Sequence, residues 1–177
     1  MGKLILIIGP MFAGKSSELI RYYKRYSLAG KKCFIIKHSG DTRYKKNSVT
    51  THDQVSISAF PTSSLSELEE KIKYYDVVCI DEIQFFEDGI LCDKWANEGK
   101  IIIASGLNGT FQRKPWKIIS DLIPLSEDII HLKAICRETG NDASFTSRIL
   151  NCEGEIIIGG SETYSASDRK TYFNLKV

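Results

Sequence analysis

The segment Gly9-Pro10-Met11-Phe12-Ala13-Gly14-Lys15-Ser16 fits Gly-x-x-x-x-Gly-Lys-Ser/Thr. These residue types suit a polyphosphate. Glycines let the backbone curl so that successive N–H groups face an anion. A following helix adds the positive end of its dipole. Lys15 is placed to reach β- and γ-phosphates, and the Ser16 hydroxyl to bind Mg2+. The competing reading is a strand-to-helix turn with incidental Lys and Ser. The buried-type strand before the motif and the helical pattern after it argue against that. A second cluster is Val77-Val78-Cys79-Ile80-Asp81-Glu82, four apolar residues ending in two acids. Asp81 at a strand end suits a Mg2+ held through water. Ligands in open α/β sheets gather at those strand ends, where the phosphate loop also emerges. Glu82 is then free to act as a base on an attacking hydroxyl or on water. Alone, both acids would read as solvated residues entering a loop.

The elements that must hold these groups follow from the apolar pattern. Lys3 to Ile8 is a continuous apolar run, as in a parallel strand buried on both faces. A helical pattern runs from Ser16 to about Leu28, and Gly30 suits its C-cap. Cys33 to Lys37 reads as a second strand. Residues 38 to 56 are polar and without period, which predicts a long loop. Leu65, Leu68, Ile72 and Tyr75 share one helical face, with Ser64 and Glu67 as a capping box. Val77 to Asp81 and Lys100 to Ala104 read as strands, and a helix around Ile90, Leu91 and Trp95 stops near Gly99. Ile118 to Ile123 suggests a short helix before Pro124, and Ile129 to Ile135 a last core strand. Alternating strands and helices argue for an α/β fold with a mostly parallel sheet. Past Cys136 the texture changes. Phe145 to Leu150 and Glu155 to Gly159 look like two short strands joined by a turn at 151–154, followed by a polar loop through Ala166. This places a domain boundary near residue 135.

Composition bounds the possibilities. The 177 residues are 42% hydrophobic and 26% charged, enough for a sizeable core. Lys+Arg number 24 and Asp+Glu 22, a formal charge of +2. That balance gives no support for a nucleic-acid or membrane surface. No apolar run approaches the roughly 18 residues of a transmembrane helix, and no secretory signal is evident. Five cysteines at irregular spacing read as reduced thiols in the cytoplasm. His38 and His131 read as structural or surface groups, because no metal spacing accompanies them.

With these residues in hand, the chain resembles the type II, thymidine kinase 1-like, thymidine kinases. Matching segments are the phosphate loop, Asp41-Thr42-Arg43-Tyr44, Thr51-His52-Asp53 and Asp81-Glu82-Ile83-Gln84-Phe85-Phe86. They continue with Gly106 through Pro115, Ile158-Gly159-Gly160 and Tyr164. The short ends and residues 96 to 100 are most similar to poxviral members. The resemblance implies a P-loop α/β domain over 1–135 and a small lasso domain over 136–177 that closes over the nucleoside. It implies phosphorylation of the 5′-hydroxyl of thymidine by ATP with Mg2+, giving thymidine monophosphate. Glu82 matches the general base. Gly9, Pro10, Met11, Phe12, Ala13, Gly14, Lys15, Ser16, Ser17 and Arg43 match the ATP and phosphate site. Ser16, Asp81 and Asp41 match positions near the metal.

Met11, Phe85, Phe111, Trp116 and Tyr164 match the nucleoside pocket, and the lasso backbone over Gly160, Ser161, Glu162, Thr163 and Tyr164 would grip the base edge. By residue type alone, Phe85, Phe111 and Trp116 would read as core. The family commonly holds its small domain with a zinc bound by two Cys-x-x-Cys pairs. Here those positions read Cys136, Thr139, Asp168 and Thr171, so no structural zinc is expected. Asn108 and Trp116 also depart from the family's Asp and Phe, with possible effect on nucleoside selectivity. The family's tetrameric (or dimeric) state and inhibition by thymidine triphosphate carry over as expectations. Competing readings are another P-loop phosphotransferase or ATPase, and an inactive nucleotide-binding module.

Overall fold

A computed structural model describes residues 1–40, 48–50, 56–149 and 159–174. The chain runs β1 (Lys3–Gly9), α1 (Lys15–Leu28), β2 (Cys33–His38), β3 (Ser48–Thr50), β4 (Ser56–Ser58) and β5 (Phe60–Thr62). It continues through α2 (Glu69–Ile72), β6 (Val77–Asp81), α3 (Leu91–Asn97), β7 (Ile101–Leu107), α4 (Lys117–Leu122) and β8 (Asp128–His131). The last elements are β9 (Ala134–Ile135), β10 (Asp142–Ala143), β11 (Phe145–Arg148), β12 (Tyr164–Ser167) and α5 (Arg169–Asn174). Six strands form one sheet in the order β5-β2-β6-β7-β1-β8, and every pairing in it is parallel.

Strand alternation divides the core in two. Leu4, Leu6, Ile8, Val78, Ile80, Ile102 and Ala104 point to one face, where Leu65, Ile72, Trp95, Ile118, Ile119 and Leu122 cover them. Ile5, Ile7, Val77, Cys79 and Ile103 point to the other, where Leu19 and Ile20 of α1 cover them. Because both faces are covered, these strands are apolar at every position rather than at alternate ones. Burial pushes the thiols of Cys79 and Cys92 up, which leaves both as inert packing groups.

Three expectations change in the first part of the chain. The helix predicted over residues 65 to 75 is a 3-10 turn at Ser66–Leu68 followed by the single turn of α2. Leu65, Leu68 and Ile72 do face the core. The start is not capped by Ser64 with Glu67. Asp88 does that work from a distant loop: its carboxylate accepts from Ser66 N (2.9 Å) and Ser64 Oγ (2.7 Å). Glu67 instead accepts from Thr62 Oγ1 at 2.8 Å. Second, the apolar run from Ile129 to Ile135 is not one core strand. β8 lies at the sheet edge, where Ile129 is 45% exposed. β9 then leaves the sheet to pair with β10. Third, the segment read as a loop between 38 and 56 contributes β3, antiparallel to β4.

In the C-terminal part, β11 pairs antiparallel with β12, so residues 164–167 are a strand rather than a polar loop. The expected strand at 155–158, with its turn at 151–154, lies outside the described residues. The sequence reading had no counterpart for α5. Its start is organised by Asp168, whose carboxylate accepts from Thr171 N (2.8 Å), Thr139 Oγ1 (2.6 Å) and Asn141 Nδ2 (3.3 Å). Cys136 Sγ lies 3.4 Å from Thr171 Oγ1. The four positions where the family resemblance places metal ligands thus meet in space as a hydrogen-bonded knot. Among the described residues, no group of three or more His, Cys, Asp or Glu is arranged to hold a metal ion.

The Thr139 hydroxyl and Thr171 N–H hold the Asp168 carboxyl down, from its ordinary 3.8 to about 2. A depressed carboxyl stabilises the fold above its unfolded value and loses that contribution as pH falls toward the folded one. The knot therefore weakens between about pH 4 and about pH 2. Asp168→Ala is expected to lower the melting temperature at neutral pH, with the gap to the parent closing below about pH 3. Melting curves across that range check it; a gap that persists unchanged at low pH would remove Asp168 from the account.

Candidate active site

The ends of β1, β7 and β6 lie side by side, because β7 is hydrogen bonded to both of its neighbours. The phosphate loop leaves the end of β1 and Asp81 closes β6. Three unusual backbone conformations shape the loop and its surroundings. Gly14 caps α1 with φ of 80°, which glycine adopts at little cost. Phe12 also has positive φ, 66°. Glu82, directly after β6, is left-handed with φ 57° and ψ 46°. Such a conformation in a non-glycine residue costs about 1 kcal/mol or more and clusters at functional sites.

Asp81 is a hub. Ser16 Oγ, on the first turn of α1, donates to its carboxylate at 3.1 and 3.3 Å. Ser105 Oγ, from β7, donates to it at 2.6 Å. These bonds join α1, β6 and β7 at one carboxylate. Lys15 Nζ donates to Pro10 O at 2.8 Å, so the lysine lies across the loop that precedes it. Ser17 sits exposed on the same helical turn. Glu82 is buried, and its carboxylate accepts from Gln84 Nε2 at 2.6 Å. Oxygen donors and a hydroxyl at the Ser16–Asp81 pair are a ligand set that suits a hard divalent cation.

The aromatic residues expected around a nucleoside fall into two groups. Phe85 meets Trp116 edge to face at 5.8 Å, with His38 beside Phe85 at 5.7 Å. Trp116 Nε1 is buried without a hydrogen-bond partner among the described residues. In the second group, the Arg148 guanidinium lies 3.7 Å over the Phe111 ring and reaches Tyr164 OH at 3.4 Å. The Met11 backbone N–H donates to Thr146 Oγ1 at 3.0 Å, on the strand that also carries Arg148. Tyr172 OH on α5 donates to Phe111 O at 2.8 Å.

From Gly160 to Tyr164 the chain forms a closed turn. Thr163 N and Tyr164 N both donate to Gly160 O, and Gly160 N donates to Glu162 Oε1 at 2.6 Å. That last bond lowers the Glu162 carboxyl below its usual range. Ser161 and Glu162 are exposed, while Thr163 and Tyr164 are buried. Asn108 directs its amide to Ser144 O (3.2 Å) and toward His131 Nε2 (3.4 Å), tying the residue after β7 to β8 and to the segment before β11. Asp41, Arg43 and Thr51-His52-Asp53 lie outside the described residues.

Ser105, Thr146 and Tyr172 were not singled out in sequence, and Gln84 was named only within the matched segment Asp81 to Phe86. Ser105 did carry a signal: it follows four apolar residues on its strand, as Asp81 does. The others are polar residues or aromatics whose partners become apparent only in three dimensions.

The thymidine kinase family model matches residues 2–172. The thymidine kinase of Myxoma virus (strain Lausanne) is 51% identical over 174 residues, covering 97% of each chain. That of Variola virus is 47% identical over 175 residues and 98% of each chain. Thymidine kinase 1 of Dictyostelium discoideum is 44% identical over 176 residues, 97% of this chain and 78% of its own. The chain belongs to the thymidine kinase family. In this thymidine kinase family member, the strand ends of a parallel sheet carry the loop, Asp81 and Glu82. No described helix is long and apolar enough to cross a membrane.

The start of the phosphate loop tolerates no side chain. A Cβ on Gly9 would lie 2.6 Å from Leu132 O, a backbone atom that cannot swing away. Gly9→Ala is expected to cost about 1–3 kcal/mol as overpacking. Urea denaturation of the two proteins measures it, and equal midpoints would contradict the close approach.

Proposed function

We propose that the chain transfers the γ-phosphoryl group of ATP to the 5′-hydroxyl of thymidine, yielding thymidine monophosphate and ADP. The observation that carries this reading is the meeting of a phosphate loop with two strand-end carboxylates of different surroundings. Asp81 is engaged by two hydroxyls, whereas Glu82 is turned off the strand by its left-handed backbone.

In the proposed reaction Glu82 takes the proton as the 5′-oxygen attacks the γ-phosphorus. The new O–P bond forms as the bond to the bridging β–γ oxygen breaks, and ADP leaves with that electron pair. Lys15 gives up its contact with Pro10 O to balance phosphate charge. Ser16 and Asp81, the latter through water, would hold Mg2+, which neutralises charge on the phosphates. Asp41 and Arg43 are proposed to join them on the metal and phosphate side.

Met11, Phe85, Phe111, Trp116 and the turn from Gly160 to Tyr164 are proposed to enclose the nucleoside, with aromatic faces available for the base. The division into 1–135 and 136–177 is part of the proposal. Contact of Phe12 and Ala13 with Ala134, Cys136, Ala143 and Ala166 supports a small domain that senses the phosphate loop. A tetrameric or dimeric assembly, inhibition by thymidine triphosphate and a cytoplasmic place complete the reading. Free thiols at Cys33, Cys79, Cys92 and Cys136 suit a reducing compartment.

The test is transfer of labelled γ-phosphate from ATP with Mg2+, with and without thymidine, by the parent and Glu82→Gln. Thymidine monophosphate from the parent is expected, and a rate about 10²–10⁴-fold lower in the variant. Phosphate release that ignores thymidine would point to an ATPase instead.

A further inference from the structure

Gln84 is 6% exposed and uses both ends of its amide. Its Nε2 donates to Glu82 Oε2 at 2.6 Å, and its Oε1 accepts from Leu107 N at 3.1 Å. The second bond has a topological origin. On the β1 side, β7 stays paired as far as Gly9↔Leu107. On the β6 side pairing stops at Ile80↔Ala104, because the chain turns away at Glu82. The Gln84 carboxamide takes up the Leu107 N–H beyond the point where the ladder ends.

That anchor also orients the amide. A backbone N–H must face the oxygen, so the NH2 group is directed at the carboxylate. Gly106 confines it further: a Cβ there would lie 2.7 Å from Gln84 Oε1, 2.8 Å from Ile119 Cδ1 and 2.9 Å from Ile83 Cγ2.

We infer that Gln84 is a positioning residue for phosphoryl transfer, fixing the Glu82 carboxylate against the end of β7 through an amide anchored on Leu107. The inference rests on Glu82 being the base. Gln84 touches neither substrate in this account and acts through Glu82 alone. Removing it leaves substrate binding intact and takes from the Glu82 carboxylate a hydrogen bond that orients it for attack. Misplacing a catalytic group by about 1 Å costs on the order of 100-fold in rate.

The test uses the full chain with Gln84→Met and Gln84→Glu, each also combined with Glu82→Gln. Gln84→Met keeps the volume and loses both hydrogen bonds. Gln84→Glu keeps the acceptor for Leu107 N, and so the fold, while replacing the donor with a like charge. In both, kcat is expected to fall about 10- to 100-fold with KM for thymidine and ATP within about threefold. Combined with Glu82→Gln, neither is expected to lower the residual rate further, because the two residues act as one unit.

A kcat within about twofold of the parent in either folded variant overturns the inference. So do losses that multiply in the double variants, or a loss carried by KM, since both are what a purely structural glutamine would give. If Gln84→Met does not melt cooperatively, Gln84→Glu is judged by the same criteria. A Glu82→Gln protein that retains the parental rate refutes the base itself and is read separately.

Discussion

Everything at the candidate site depends on β7 lying between β1 and β6 in one parallel sheet. Parallel pairing brings strand ends to the same edge, so a loop leaving β1 and a carboxylate closing β6 are held one strand apart. β7 fills the gap with Ser105, whose hydroxyl reaches Asp81, and with Leu107, whose N–H reaches Gln84. An antiparallel arrangement would send alternate ends to opposite edges and separate the phosphate loop from both acids. The all-apolar strands are the cost of that geometry, since a sheet built from crossover helices must be covered on both faces.

The second half of the chain is fastened to the first at the phosphate loop itself. Thr146 on β11 accepts the Met11 N–H, and Phe12 with Ala13 rests on a cluster of small side chains around Cys136. α5 adds a bond from Tyr172 to the backbone of Phe111. Groups proposed to meet the nucleoside and groups proposed to meet the phosphates therefore share supports. A displacement of β11 or α5 reaches both.

The central sheet was legible because a buried parallel strand writes itself as an unbroken apolar run, and the loop because its glycines and lysine have few other uses together. Where the reading failed, apolar content misled. Ile129 to Ile135 has the composition of a core strand, but an edge strand and a departing hairpin share the same letters. Ser64 and Glu67 had the spacing of a capping box, yet Asp88 won because a charged acceptor from another loop satisfies Ser66 N and Ser64 together. The anchor that orients Gln84 lies 23 positions away at Leu107 and the partner of Thr146 lies 135 away at Met11, separations no local pattern encodes.

The knot around Asp168 bears on how this part of the chain can change over generations. Its bonds use the hydroxyl of Thr139, the amide of Thr171 and the thiol of Cys136, each fitted to the others. A thiolate metal site at the same four positions would need its ligands nearly complete before it held an ion. Exchanging Thr139 for cysteine alone removes a donor from Asp168 and supplies only a second thiol. Each single step toward a metal site thus surrenders part of the present bonding before the replacement exists.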